Sequence, residues 1–252
     1  MEFGIPYSLT KIPKTEGVIS FSINNHANLL ACLTEKSIQL FDNSYYYPIF
    51  ITSLTQFFES FNIKGPNNWI CWITDEDLAY VTENGNVFIS HVIIIERKQA
   101  IHDYDDDFYK KYLNKYELVK ILAPISISIF DQSSYQSESP TCVTSVFSAY
   151  NHVCVCTSES QIISVNKNGV ISYTMKPFSK PTRITNAGYY PPSSLLCLVD
   201  SNIKIINFDK PTFENKVEPI IDEIPVKHAS IIALNSQHTF LAVFKPEKGS
   251  LR

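Results

Sequence analysis

Glycine is scarce in this sequence: seven residues in 252. So few glycines leave no clustered set through which backbone amides could cradle a phosphate, and no Gly-x-x-x-x-Gly-Lys loop occurs. No Gly-x-Ser-x-Gly elbow is present to expose a nucleophilic serine. Basic residues are outnumbered, 21 Lys and Arg against 25 Asp and Glu, for a formal charge of −4. A nucleic-acid-binding face would need a basic excess, so that partner class is set aside. No uninterrupted apolar run, Val92–Ile95 included, approaches the ~20 residues of a bilayer-spanning helix. The opening MEFGIPYSLTKIPKTEG lacks the apolar stretch of a secretory signal. Asparagine is plentiful, yet no Asn-x-Ser/Thr glycan acceptor occurs. Helical periodicity is nearly absent.

The six cysteines, Cys32, Cys71, Cys142, Cys154, Cys156 and Cys197, all sit inside apolar, strand-like runs. Disulfide frameworks belong to small, loop-rich folds of oxidising compartments, and this chain has neither the size nor the spacing for one. The expectation is reduced, buried, metal-free thiols in a cytoplasmic protein.

What the sequence does hold is β-sheet material. Apolar residues make up 44%, aromatics 13% and charged residues 18%. That composition buries a core and favours strands. Five segments share one pattern of apolar strand, polar tip, second strand, tight turn and third strand. They begin at Gly17, Asn68, Thr141, Thr182 and Lys227. Equivalent second-strand positions are Leu33, Val81, Cys156, Leu198 and Val243, spaced by 48, 75, 42 and 45 residues. A four-stranded propeller blade takes ~40–50 residues, and blades repeat because one such sheet cannot cover both its faces alone. The fold class expected is therefore all-β: a propeller of WD-repeat-like four-stranded blades over residues 1–252, with units near 17–54, 68–130, 141–177, 182–221 and 227–245. A polar insertion at about 96–140, containing ERKQAIHDYDDDFYKKYLNKYE and DQSSYQSESP, accounts for the long spacing. The fifth unit loses its pattern after Phe244, so the chain reads as an incomplete propeller of four to five blades, a fragment or a shortened gene model.

Local signals agree. Ser20, Ser22, Gln39 and Ser164 interrupt apolar runs at alternate positions, the period of a strand. Asn84-Gly85 and Asn168-Gly169 each separate two strand-like runs. Asn-Gly marks a primed hairpin turn, with positive φ at both central residues. Pro191 and Pro192 fall in a tip loop, where the missing N–H costs nothing.

Candidate chemistry is thin. Asp103, Asp105 and Asp107 imitate the start of a calcium loop, but Phe108 and Asn114 stand where it needs glycine and glutamate. His152, Cys154 and Cys156 alternate on one strand and would share a face, yet zinc needs a fourth ligand and none is apparent. Asp75 and Asp77 could be imagined as a glycosidase acid pair; a solvated turn is the simpler reading. No sialidase-type Ser-x-Asp-x-Gly-x-Thr-Trp box occurs. No catalytic, cofactor-binding or metal residue is assigned, and the binding surface is left open.

Residues 65–92, GPNNWICWITDEDLAYVTENGNVFISHV, carry a resemblance. Ile70, Trp72, Asp75, Ala79, Thr82 and Gly85 fit the frame "apolar, x, Trp, x, x, Asp … Ala, x, x, Thr, x, x, Gly". Ile12, Pro13 and Lys14 match an apolar-Pro-Lys opening, and Tyr47, Pro48 and Ile49 an aromatic-Pro-apolar step. In these features the chain resembles the larger, propeller-bearing subunit of the two-subunit Golgi Rab-GTPase exchange factor, the Ric–Rgp complex. The match covers about the first hundred residues; later units keep only the blade pattern, and the helical solenoid of that family is missing. The resemblance implies a non-catalytic scaffold that works with a second subunit on a Rab GTPase, without cofactor, peripheral on Golgi membranes through the complex. It transfers no exchange residue. Trp72 is expected to fill the gap between blades and Asp75 to cap or turn the tip loop. The alternative is a propeller of a vesicle coat or tether without exchange activity, and an enzyme with a propeller pocket ranks last.

Overall fold

The computed structural model describes residues 17–24, 28–42, 49–55, 68–96, 116–130, 141–178, 180, 182–190, 194–199, 201–208, 221–226, 228–234 and 241–244. Among them there is no helix, and every sheet ladder is antiparallel. The first blade is β1 (Val18–Asn24), β2 (Leu29–Thr34), β3 (Ile38–Asp42) and β4 (Ile49–Leu54), paired in that order. The second is β5 (Asn68–Trp72), β6 (Asp77–Thr82), the long β7 (Asn86–Glu96), β8 (Tyr116–Ile121) and β9 (Ile125–Ser128). The third is β10 (Val143–Ala149), β11 (His152–Thr157), β12 (Ile162–Asn166) and β13 (Ile171–Met175). The fourth is β14 (Ile184–Tyr190), β15 (Ser194–Val199), β16 (Asn202–Asn207) and β17 (Ile221–Ile224). A two-stranded fifth unit holds β18 (Ile231–Leu234) and β19 (Leu241–Phe244). First strands neighbour first strands around the assembly, β1 beside β5, β5 beside β10, β10 beside β14 and β14 beside β18.

The insertion is shorter than its sequence suggested. Residues 116–128, inside the 96–140 range, complete the second blade. The first half of β7 pairs with β9 and its second half with β8, so the two short strands fill one fourth-strand position. They are separated at Leu122-Ala123-Pro124, where proline has no N–H for the ladder. The acidic run with Asp103, Asp105 and Asp107 lies outside the described residues, as do Pro191 and Pro192.

The blades are held face to face by apolar seams. Leu29, Ala31, Leu33 and Leu40 of the first blade pack with Ile70, Trp72, Leu78 and Tyr80 of the second. Ala79, Val81 and Val87 pack with Val143, Val153 and Val155 of the third. Cys154, Cys156 and Ile162 pack with Ile184, Leu195 and Cys197 of the fourth, and Leu196, Leu198 and Ile203 with Ala229 and Ile232 of the fifth unit. Leu33, Val81, Cys156 and Leu198 thus all face the following blade, as their alignment required. Val243 does not: it packs on the cluster shared with the fourth blade. The fifth unit is one residue out of the frame, and a one-residue slip turns a strand's other face inward.

Polar groups stitch the same seams. Ser20 Oγ accepts from the Ile70 amide (3.3 Å) and Ser22 Oγ from the Trp72 amide (3.1 Å). Asn24 Nδ2 donates to the Asp75 carbonyl (2.8 Å). Alternate side chains of β1 therefore satisfy the otherwise unpaired edge of β5. Later seams are bridged from the turn between second and third strands. The Val143 amide donates to the Glu83 carbonyl (2.8 Å), and the Ala229 amide to that of Ser201 (3.0 Å). Ser160 Oγ accepts from the Thr182 amide and donates to the Thr182 carbonyl (2.7 Å).

The Asn-Gly turns sit where the sequence placed them but are of another type. Positive φ occurs at Gly85 and Gly169 (76° each) and not at Asn84 or Asn168. The Gly85 amide donates to the Thr82 carbonyl and the Gly169 amide to that of Asn166 (2.9 Å each). This is a type I turn closed by a left-handed glycine, the three-residue hairpin loop. The turn with both central residues at positive φ lies instead at Tyr150-Asn151 (51° and 60°), joining β10 to β11.

Candidate functional site

The family-like frame serves the blade itself. Ile70 and Trp72 lie on β5, buried in the seam with the first blade. Ala79 lies on β6 in the next seam. Thr82 ends β6, and its Oγ1 accepts from the Asn86 amide (3.1 Å), closing the turn that Gly85 completes. Thr34 and Thr157 do the same in blades one and three, accepting from the Ser37 amide (3.0 Å) and the Gln161 amide (3.1 Å). Sequence reasoning named Thr82 but passed over Thr34 and Thr157, although each directly follows an aligned position, Leu33 or Cys156. Of the remaining matched residues, Ile49 opens β4, and Ile12, Pro13, Lys14, Tyr47 and Pro48 lie outside the described residues.

Asp75 is not the cap. It is exposed, and its neighbour Asp77 is buried and holds the tip together. Thr74 Oγ1 donates to Asp77 Oδ2 (2.8 Å), and the Asp77 amide donates back to Thr74 Oγ1 (2.9 Å). His91 Nδ1, opposite Asp77 in the β6–β7 ladder, lies 3.0 Å from Asp77 Oδ1. A carboxylate only accepts, so Nδ1 carries the hydrogen. His91 Nε2 stands 3.9 Å from Glu76 Oε2, and both of these side chains are solvent-accessible. The Asp77–His91 pair opens on a shallow depression of ≈ 420 Å³ between the second and third blades. Ile89, Leu122 and Ile125 give it an apolar floor, and Lys167 and Asn168 of the β12–β13 turn form its far wall.

The other sequence candidates are resolved by their surroundings. Both nitrogens of His152 are engaged, Nδ1 with the Tyr150 carbonyl (2.6 Å) and Nε2 with Ser172 Oγ (3.2 Å). Cys154 and Cys156 are buried in the seam with the fourth blade. Burial pushes the Cys32 thiol up to about 11 and that of Cys71 to about 12. Cys154 and Cys156 are also raised well above the ordinary thiol value, by burial first and then by neighbouring cysteines, as is Cys197 by burial. Such thiols are poor nucleophiles and poor metal ligands at neutral pH. Among the described residues no group of three His, Cys, Asp or Glu is placed to hold a metal ion. In the β10–β11 turn, at the same end of the third blade as the β12–β13 turn, Tyr150 packs with Tyr189 and Phe208 (ring centroids 5.2 and 6.3 Å apart), and its hydroxyl donates to the Phe208 carbonyl (2.8 Å).

No protein-family model and no curated protein matches the chain. Among solved structures it is similar to the Cps50 (Swd1) β-propeller domain of Myceliophteria thermophila, with a TM-score of 0.55 at 9% identity, over 90% of this chain and 66% of that one. The chain folds as a β-propeller. It is also similar to a chain of a mitotic checkpoint complex crystal structure, with a TM-score of 0.48 at 14% identity, over 89% of this chain and 57% of that one. The propeller thus spans about three-fifths to two-thirds of the length of these two chains. At such identities the likeness is one of fold.

Proposed function

We propose that this propeller is a non-catalytic scaffold of a guanine-nucleotide exchange factor complex that acts on a Golgi Rab GTPase. It works with a second subunit and reaches the membrane only through that complex. The observation that carries the reading is the second-blade frame of Ile70, Trp72, Asp75, Ala79, Thr82 and Gly85. Five of the six serve blade packing or turn closure, so the frame marks a kind of blade and not a reactive site. The nearest approach to a catalytic constellation is Thr74–Asp77–His91. There the hydroxyl and the imidazole both bond the same carboxylate, whereas an activated nucleophile must bond its base. Exchange needs no bond-making group: a factor accelerates nucleotide release by binding the nucleotide-free GTPase more tightly than the loaded one. A scaffold contributes to that through surface and position. The second reading, a coat or tether propeller, is favoured by blades three and four, which keep the fold but not the tryptophan of the frame. Co-expression with the second subunit, followed by capture on nucleotide-free and GTP-loaded Rab GTPases, separates the two. Preferential retention on a nucleotide-free Golgi Rab supports the exchange reading; equal or no retention across the panel favours the coat or tether.

A further inference from the structure

The seam between the first two blades closes at its outer rim, and the next seam does not. The outer strands β4 and β8 lie side by side, and Ile51, Leu54, Ile94 and Val119 pack there onto the seam. The outer strands of blades two and three, β9 and β13, turn the same kind of residue toward each other. Ile125 pairs with Ile89 and Ile171 with Val165, and both of these partners are buried in the seam. Yet Ile125 is 46% exposed and Ile171 41%, and Val170 beside it is 55% exposed. Ile95, on the same face of β7 as His91, is 43% exposed. Four of the nine exposed large apolar side chains among the described residues thus gather around the depression between these blades. Such a cluster, rimmed by polar groups, marks a contact surface. The rim sets its sign. Lys167 forms the far wall, and Lys120, opposite Ile93 in the β7–β8 ladder, shares the face of Ile95. Both lysines are exposed, and neither has a partner among the described residues. Asp77 brings no free charge, since Thr74 Oγ1 and His91 Nδ1 both donate to its carboxylate. The exposed Glu76 stands beside His91 Nε2, which steers an incoming acid away from the tip and toward the lysines. Each outer strand also keeps one backbone edge that no described strand pairs, β9 bonding only to β7 and β13 only to β12. An extended chain can hydrogen-bond along such an edge.

We propose that the groove between the outer strands of the second and third blades docks an extended segment of a partner protein, one in which aliphatic or aromatic side chains stand next to Asp or Glu. The apolar side chains cover Ile125 and Ile171, and the acids meet Lys167 and Lys120. A small-molecule site would bury most of its ligand; this depression is shallow, and a chain passing across it is the better fit. The inference holds whether the propeller serves an exchange factor or a coat. A phage-displayed library of short random peptides, selected on the full chain, supplies the probe. Enriched peptides should carry acids beside Leu, Ile or Phe. Fluorescence anisotropy should show them weakened about tenfold or more by Lys167→Glu and by Ile125→Ser, and weakened by added salt. Lys36→Glu, the same charge change at an exposed site of the first blade, should leave affinity unchanged. Lys167 holds nothing in the fold, so its variant keeps the test open should Ile125→Ser fold poorly. No enrichment, enriched peptides without acids, full affinity for Lys167→Glu, or an equal loss with Lys36→Glu overturns the proposal. So does binding confined to phosphatidylserine vesicles, which would make the patch a membrane contact.

Discussion

Replacing Gly85 or Gly169 with alanine separates two costs that glycine hides. Both residues close the same kind of turn at φ 76°, so both substitutions meet the same backbone penalty, about 1–2 kcal/mol for an L-residue in the left-handed region. Their surroundings differ. A Cβ on Gly85 would stand 2.5 and 2.6 Å from two ring carbons of Phe130 and 3.0 Å from Ile129 Cγ1. Phe130 and Ile129 are buried in the seam between blades two and three, so the ring has no free space to yield. Overpacking of this kind adds ~1–3 kcal/mol. A Cβ on Gly169 meets only the tip of Ile125, at 3.2 Å, and Ile125 is exposed and can rotate away. Gly85→Ala should thus cost ~2–5 kcal/mol and Gly169→Ala ~1–2 kcal/mol. The 83–85 turn also accepts the Ile129 and Val143 amides, so the strain reaches the passage from the second blade to the third. Urea denaturation followed by tryptophan fluorescence gives both values, because Trp69 and Trp72 lie in the second blade. Phe130→Leu should recover part of the Gly85→Ala loss and none of the Gly169→Ala loss, the mark of a shared contact. Equal losses at the two glycines, or no coupling to Phe130, would refute the steric argument.

Ser22→Ala removes the acceptor for the Trp72 amide at a seam edge and should cost ~1–2 kcal/mol, with faster hydrogen exchange at Trp72 and unchanged exchange at Val155. Exchange measured by NMR that is no faster at Trp72 would show that the hydroxyl does not hold this edge. The buried thiols predict alkaline instability. Unfolded thiols ionise near 9.0, those of Cys32 and Cys71 in the fold near 11 and 12, so the unfolded chain loses protons first. Stability is intact below pH 9 and falls above it, by up to about 1.4 kcal/mol per pH unit per group until the folded thiol ionises. Stability curves from pH 7 to 11 that stay level would contradict this. Native alkylation with iodoacetamide, read by peptide mass spectrometry, should label Cys142 first, since it is half-buried and the other five cysteines are buried. Early labelling of Cys154 or Cys156 would mean that the seam opens readily.

The fold was legible because each blade writes the same alternation. Leu33, Val81, Cys156 and Leu198 could be aligned by eye, and all four point at the next blade. The frame slipped at Val243 because the described residues of the fifth unit offer two short strands, and alternation on so few residues does not fix which face turns inward. The insertion was overdrawn for a related reason. Val119 to Ile127 carries a strand pattern broken by Pro124, and a strand split in two reads like a loop next to charged sequence. Turn positions were plain from Asn-Gly, but turn type was not: it depends on whether the loop closes over two residues or three, which the dipeptide alone does not say. The site was less legible than the fold. Asp77 rather than Asp75 binds the tip because its partner His91 is 14 residues away and arrives only through the β6–β7 register. Ser20 and Ser22 looked like ordinary strand alternation, and their role toward a neighbouring blade is a property of the packed assembly.

Fluorescent-GDP release from a panel of Rab GTPases, measured for this chain alone and for its complex with the second subunit, tests the scaffold reading most directly. The account predicts that the chain alone leaves release at the intrinsic rate, because in the proposed reading exchange belongs to the assembled complex, and that the complex accelerates release from a Golgi Rab. Acceleration by the chain alone, or none by the complex on any Rab, would contradict it.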